Sequence, residues 1–399
     1  MTKRNVRDLT EQEARGKRAL VRADFNIPLD DNREITDDTR IRAALPTIEL
    51  LHKLGARIVL LSHLGRPKGK PDLRYSLLPV ANRLAELTGR KVCFVESTDT
   101  DEALQATRAL EDGEMLLLEN TRFLGGEETN DPRLARALAE LGDFFVNDAF
   151  GAAHRAHAST AGVAEHLRPA VAGLLMQTEL DYLGGALDEP ERPFVAILGG
   201  SKISGKIDVI EKLLPKVDAL LIGGAMACTF YRAMGLETGK SLVEEDRVAM
   251  AKDLLARAGT RITLPHDATV ARSIEDAKSA HDVPREGIPR DEAMFDIGPR
   301  SAASFARAIA SARTVIWNGP MGVSETPPFD AGTLAVALAM AHATKGGATT
   351  IVGGGDSAAA CAKAGLDKRM SHVSTGGGAS LEFLEGKPLP GVEALDAAR

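Results

Sequence analysis

The sequence predicts an α/β protein built as two doubly wound, parallel-sheet lobes. Three observations lead there. Apolar runs of β type alternate with helical patterns along the whole chain. One stretch, roughly 176–193, is the weakest for a core and suits a connection between two halves. The length of 399 residues suits two domains. The strand candidates are 19–23, 57–62, 91–95, 115–118, 143–147 and 170–175, then 194–198, 218–222, 261–264, 314–317, 349–352 and 371–374. Between the first two, Ile41, Leu45, Ile48, Leu51 and Leu54 recur at helical spacing, with Thr36 or Asp37 placed to cap the start and Gly55 to end it. Pro132 opens a helix that stops at Gly142, 245–258 stops at Gly259, and 357–364 stops at Gly365. Strands that alternate with helices form parallel sheets covered on both faces. The stretch 176–193, MQTELDYLGGALDEPERP, mixes a short helical pattern with Gly184-Gly185 and prolines, and is read as the hinge or linker. The first lobe is then 1–175 and the second 194–379.

Composition narrows the class. Hydrophobic residues make up 44% and charged residues 26%, ordinary for a soluble globular chain. The net charge of −7 is not polarised: 1–180 carries 25 Lys+Arg against 28 Asp+Glu, and 181–399 carries 24 against 28. A nucleic-acid binder would need a bulk basic face, so nucleic acid is not an expected partner. The opening MTKRNVRDLT has no apolar core for a signal peptide, and no run reaches the ~20 apolar residues of a membrane span. Cys93, Cys228 and Cys361 lie far apart with no CxxC, which argues against disulfides and zinc and for a reducing cytoplasm.

The loops carry the functional signal. In the first half, apolar runs end in cations: Arg22 in LVRADFN, His63 and Arg66 in LLSHLGRP, Arg122 in LLLENTRF, Arg155 in GAAHRAH. In the second half, similar runs end in glycines: AILGGSK, LLIGGAMA, VIWNGPMG, TIVGGGDS and VSTGGG. Open parallel sheets bind ligands beyond the carboxyl ends of their strands, where all these loops lie. Guanidinium forks suit an anion with several carboxylate or phosphate groups. Glycine loops let backbone N–H groups approach a phosphate chain. One of each on separate halves reads as an enzyme that moves a phosphoryl group between two bound molecules.

Each motif also has a plainer reading. GGSKISGKI at 199–207 satisfies GxxxxGK but puts Ile207 where a P-loop needs a hydroxyl. What remains is Lys202 and Lys206, one helical turn apart and so on one face, or else a solvated helix start. GGGDSA at 353–358 fits G-x-G-x-x-A, but the next strand, SHVST, ends without the acidic residue that would hold a ribose. Asp356 there suits Mg²⁺ at a phosphate loop, or a helix cap. Glu325 follows WNGPMG at a distance that could reach a ribose, and STGGGAS at 374–380 is either an anion site at a helix start or a flexible connection. Asp24 and Asn26 could take ligand hydroxyls. Arg40 opposes the dipole of its own helix, which favours a functional role. A nicotinamide oxidoreductase and a non-catalytic nucleotide binder stay open at this point.

The ordered segments VRADFNIPL, DTRIRAALPTI, LLSHLGRP, LLENTRF, FVNDAFGAAHRAHAS, ILGGSKISGKI, WNGPMGVSE, GGGDS and STGGGASLEFLEGKPLPGVEAL closely resemble the phosphoglycerate kinase family over nearly the whole chain. The resemblance implies two Rossmann-like lobes around a cleft, joined by a hinge, with a last segment, about 380–399, returning to the first lobe. It implies reversible phosphoryl transfer between 1,3-bisphosphoglycerate and ADP, giving 3-phosphoglycerate and ATP, with Mg²⁺ on the nucleotide, in a monomeric protein. Carried over by motif, Arg22, Asp24, Phe25, Asn26, Arg40, His63, Leu64, Gly65, Arg66, Arg122, His154, Arg155 and His157 would form the phosphoglycerate site. Gly200, Lys202, Lys206, Gly224, Asn318, Glu325, Gly354, Gly355, Asp356 and Ser357 would hold the nucleotide, with Asp356 on the metal. Arg40, Lys202 and the loop of Gly376, Gly377 and Gly378 would meet the transferred group. The chain departs from the usual family pattern at Gly205, Ala225, Ser324 and Ser357.

Overall fold

The computed structural model describes residues 3–398 and divides into two compact units. Among the described residues the first comprises 3–181 with 388–398, and the second comprises 182–387. Each holds a six-stranded parallel sheet.

In the first unit the strands are β1 (Arg18–Arg22), β2 (Arg57–Leu61), β3 (Val92–Val95), β4 (Met115–Leu118), β5 (Phe144–Asn147) and β6 (Ala170–Ala172), in the order β3-β4-β2-β1-β5-β6. Their apolar runs are buried on both faces: Leu20, Ile58, Val59, Leu60, Leu117 and Val146 expose no surface. The chain turns to the far side of the sheet between β1 and β5, and a reversal of this kind leaves a crevice at the strand ends. Helix Thr39–Lys53 packs Ile41, Ile48 and Leu51 on the sheet. Asp37 Oδ1 accepts from Thr39 N at 2.9 Å, while Asp38, the N-cap itself, makes no capping bond and instead pairs with Arg42 and Arg83.

Residues 388–398 complete this unit. Lys3 Nζ donates to the carbonyls of Glu393 and Leu395 at 3.1 and 3.0 Å, and Lys3 and Ala397 form an antiparallel bridge. Asp396 exchanges bonds with Ala170, and Asn147 Nδ2 donates to Gly391 O at 3.0 Å.

In the second unit the large sheet consists of β7 (Phe194–Leu198), β8 (Ala219–Ile222), β9 (Ile262–Thr263), and three strands that follow a smaller sheet. That smaller sheet comprises β10 (Asp267–Ala271), β11 (His281–Pro284) and β12 (Ala293–Ile297), antiparallel in the order β11-β10-β12. Then come β13 (Thr314–Asn318), β14 (Thr349–Gly353) and β15 (His372–Val373), giving the order β15-β14-β13-β7-β8-β9. The twelve strands expected from the sequence fill the two parallel sheets, with ends shifted by at most three residues. The three-stranded sheet was not expected. Its strands carry Asp267, Asp282, Asp296 and Pro284, residues of poor strand propensity, and only short 3-10 turns, no α-helix, separate them.

Residues 174–188 form one helix of 15 residues, continuous through Gly184-Gly185, where the sequence suggested only a short helical pattern. Among the described residues no helix is long and apolar enough to cross a membrane.

Candidate functional site

In the first unit the cations gather at the strand ends flanking the β1/β5 reversal. Arg22, the last residue of β1, is fully buried. Its Nε donates to Ser159 Oγ at 2.8 Å, and a terminal nitrogen lies 3.0 Å from His63 Nδ1. A guanidinium has only donors, so that imidazole nitrogen accepts. Burial and then the nearby Arg22, Arg122, Arg40 and His157 hold His63 well below the usual histidine range. The same causes, burial first and then Arg22 and Arg122, put His157 at about 4. Arg122 is itself lowered by burial and by Arg155 and Arg66, against the pull of Glu128 and Glu127. Arg22, Arg40, Arg66, Arg122 and Arg155 thus share one electrostatic neighbourhood with two neutral histidines.

The backbone fixes this cluster. Arg40, in the first turn of helix Thr39–Lys53, reaches Asp24 Oδ2 at 2.9 Å with about a third of its side chain exposed (34%). Asp24 Oδ1 accepts from Asn26 N, and Asn26 Oδ1 accepts from Gly65 N at 2.9 Å, tying the loop after β1 to the loop after β2. Arg122 donates to Gly65 O at 2.7 Å. Phe25 and Leu64 are buried and offer backbone rather than side chain to a ligand. Arg155 Nε donates to His154 Nε2 at 3.1 Å.

Several supporting residues were not legible in the motifs. Glu127, fully buried, accepts from Ser159 N and Oγ and lies 4.0 Å from His157 Nδ1. Asn120 donates to Leu64 O and Tyr75 O and accepts from Arg122 N. Ser62 Oγ accepts from Phe25 N. ENTRF held a signal for Asn120, since an amide between a strand and an arginine is a turn builder; Glu127 in GGEET carried none.

In the second unit the loops after β7 and β13 meet at the reversal of strand order. Gly199 N donates to Asn318 O and Gly200 N to Pro320 O. Gly224, after β8, has φ +69°, and a Cβ there would stand 2.4 Å from Gly200 O. Only glycine lets these two loops touch. Lys206 Nζ donates to Asn318 Oδ1. Burial lowers the Lys206 ammonium, opposed by Glu385 and Asp356. Ser357 Oγ accepts from Gly319 N at 2.7 Å, joining the GGGDS loop to WNGPMG. Gly354 caps helix Gly355–Lys363, with the exposed Asp356 in its first turn, and Gly377 (φ +53°) caps helix Gly378–Leu384.

A cleft of about 690 Å³ opens beside these loops. Gly200, Gly224, Ala225, Glu325 and Asp356 line it, together with the apolar Leu242, Ile274 and Phe295. The volume suits a small-molecule ligand. The apolar wall comes partly from the unexpected antiparallel sheet, so Phe295 and Ile274 escaped the sequence reading.

One expectation fails locally. Lys202 and Lys206 do not share a helical face, because the helix begins only at Ile207, with Lys206 as its N-cap. Gly205 and two serines keep 200–206 in turns. Lys202 is exposed and close enough to Glu244 to lower that carboxyl, though burial and the Ser204 hydrogen bonds act more strongly on it.

Among the described residues no cluster of three or more His, Cys, Asp or Glu is placed to hold a metal. The exposed carboxylate of Asp356 at a glycine loop fits Mg²⁺ all the same, since that ion usually takes one or two carboxylates and fills its shell from phosphates and water.

Residues 8–387 match the family model for phosphoglycerate kinase. The chain is 57% identical over 399 residues to the phosphoglycerate kinase of Pelodictyon phaeoclathratiforme, covering 99% of this chain and 100% of that one. It is 58% identical over 403 residues to that of Chloroflexus aurantiacus, with full coverage of both. Among solved structures, phosphoglycerate kinase from Coxiella burnetii superposes with a TM-score of 0.89 at 42% identity, covering 98% of each chain. A chain with these relatives and two such sheets is a kinase, an enzyme that transfers a phosphoryl group. It belongs to the phosphoglycerate kinase family, whose reaction is a reversible transfer in glycolysis.

Proposed function

We propose that the first unit binds 3-phosphoglycerate or 1,3-bisphosphoglycerate at its cation cluster and that the second binds ADP or ATP in its glycine-loop cleft. The observation that carries this reading is the cluster itself. Five arginines and two histidines perturb one another with few counter-charges, and like charges are tolerated together when they share an anion. Arg122, Arg66 and Arg155 grip the distal phosphate, while Asp24 and Asn26 take hydroxyls. Arg22, wholly buried, acts by holding His63 and the loop behind it. In the second unit Gly200, Gly224 and Glu325 receive the nucleoside, and Lys206, Asn318 and Gly354 to Ser357 receive the phosphates. Mg²⁺, held by Asp356, supplies charge neutralisation on the nucleotide.

Written toward ATP consumption, the acceptor is a carboxylate, ionised well below pH 7. No general base is required. The chain's task is to align acceptor and donor in line and to neutralise the transferring group. Arg40, Lys202 and the amides of Gly376 and Gly377 form that clamp. Water would compete for the phosphoryl group, so closure about a hinge precedes transfer. The protein acts as a monomer in the cytoplasm, with small-molecule partners only.

A coupled assay with ATP, 3-phosphoglycerate and product trapping tests the reaction. Arg40→Ala and Arg122→Ala test the assignment. A contact made chiefly in the transition state costs kcat. Arg40→Ala is expected to lose roughly 3–4 kcal/mol, about 10²–10³ in kcat, with nucleotide KM unchanged. Arg122→Ala is expected mainly to raise the phosphoglycerate KM. Near-normal kcat in Arg40→Ala would mean the clamp lies elsewhere.

A further inference from the structure

We propose that Thr47 and Asp148 are positioning residues for the transfer step, docking the first turn of helix Leu174–Asp188 onto the two elements that carry Arg40 and Arg155. The proposal rests on the role given above to Arg40.

A helix leaves its first N–H groups without partners inside the helix. Such groups are usually capped by a residue next to them in sequence. Here the acceptors come from afar. Leu174 N donates to Thr47 Oγ1 at 2.8 Å, across 127 positions. Met176 N donates to Asp148 Oδ1 at 3.1 Å, across 28 positions. Both acceptors are fully buried. Gly173 lies so close that a Cβ there would stand 2.0 Å from Asp148 Oδ1, so only glycine fits beside the carboxyl.

Each acceptor is joined to the site. Thr47 lies on helix Thr39–Lys53 seven positions beyond Arg40, two turns along the same face. A shift of the helix at Thr47 is therefore a shift at Arg40. Asp148 follows β5, and its N–H donates to Arg22 O at 2.8 Å. The chain then passes through the single turn Phe150–Ala152 to His154 and Arg155.

The energetics favour a functional reason for this arrangement. Burial raises the Asp148 carboxyl to about 6 in spite of its hydrogen bonds from Thr47, Met176 and Leu175. Its Oδ2 is buried without a hydrogen-bond partner. A packing role alone would be met more cheaply by an apolar side chain, because a buried polar atom left unpaired costs stability. The carboxyl supplies what an apolar group could not, a fixed acceptor for a helix end behind two arginines.

The test compares Thr47→Val, which keeps the shape and removes the acceptor, with Thr47→Ser, which keeps the hydroxyl. Steady-state kinetics are measured well below each variant's Tm. Displacing a catalytic group by about 1 Å can cost 10²-fold, so a partial release of the helix predicts a loss of about 10-fold in kcat for Thr47→Val. Its nucleotide KM stays at the wild-type value, and Thr47→Ser returns to within about 2-fold. Asp148→Leu, which removes the acceptor and keeps a similar volume, is expected to behave like Thr47→Val; should it fail to fold, the Thr47 pair decides alone. A Thr47→Val enzyme with lowered Tm but full kcat, beside an impaired Arg40→Ala, overturns this inference alone. Full kcat in Arg40→Ala overturns the reading of Arg40 and this inference with it.

Discussion

His63 and His157 are set against the arginines that surround them. Burial and neighbouring guanidinium groups keep both neutral near pH 7, His157 at about 4. A bound phosphoglycerate reverses the local potential and so favours the charged imidazoles. Binding at about pH 6 should therefore take up protons. Calorimetry in two buffers of different ionisation enthalpy should give different heats, and equal heats would mean that the histidines do not feel the anion. The stability consequence has a definite sign. A depressed histidine pKa contributes stability that is present above the unfolded value, 6.5, and lost as pH falls toward the folded one, about 4 for His157. His157→Gln should flatten that acid limb. Asp356 offers a separate residue-level check. Asp356→Asn should weaken Mg-ADP binding and turnover while phosphoglycerate affinity holds, and calorimetric titration of each ligand decides it.

Two loops and a strand show how far an element's role can be read from its letters. The glycines after β7 and β8 were visible as GGS and GGA, and their placement beyond strand ends followed from the α/β alternation. Their mutual contact was not visible, because it depends on φ +69° at Gly224 and on how the strands order themselves. Gly224→Ala should drive the loops apart, cost on the order of 1–3 kcal/mol, and reduce nucleotide affinity with phosphoglycerate binding intact. Thermal unfolding and two separate titrations would show it. The strand β12 was missed entirely, and with it Asp296. That carboxyl accepts from Gly332 N at 2.6 Å and Ile297 N at 2.8 Å, yet burial lifts it to about 8, assisted by Asp330 and Asp282. A raised carboxyl pKa gives stability that is whole below the unfolded value, 3.8, and lost as pH rises through about 8. Wild-type Tm should fall between about pH 4 and 8 more steeply than that of Asp296→Asn, and level off above that range. The variant should start lower, because its amide N–H₂ would face a backbone N–H. Parallel Tm–pH curves would remove Asp296 as the cause. Such a residue is illegible in sequence: FDIG names a carboxylate but not its burial, which depends on packing partners far along the chain.

At the scale of the molecule, each large sheet was legible because its strands are continuous apolar runs, which parallel sheets buried on both faces require. Long-range closure was less so. Leu389, Val392 and Leu395 are buried in the first unit, and Gly391 N donates to Ala153 O beside the loop of His154 and Arg155. Removing 388–399 should therefore lower the first unit's Tm and weaken phosphoglycerate binding while nucleotide binding in the second unit persists. Unchanged phosphoglycerate affinity after truncation would mean that the segment only covers the surface.

That closure also imposes an order in time. A ribosome releases the chain from its first residue onward, so 3–181 emerges early but lacks Glu393, Leu395 and Asp396 until about 200 further residues have been made. At ~5–20 residues per second the delay is roughly 10–40 s. The second unit, contiguous in sequence, has every residue it needs first. The half that is begun first is thus the half whose residues are completed last.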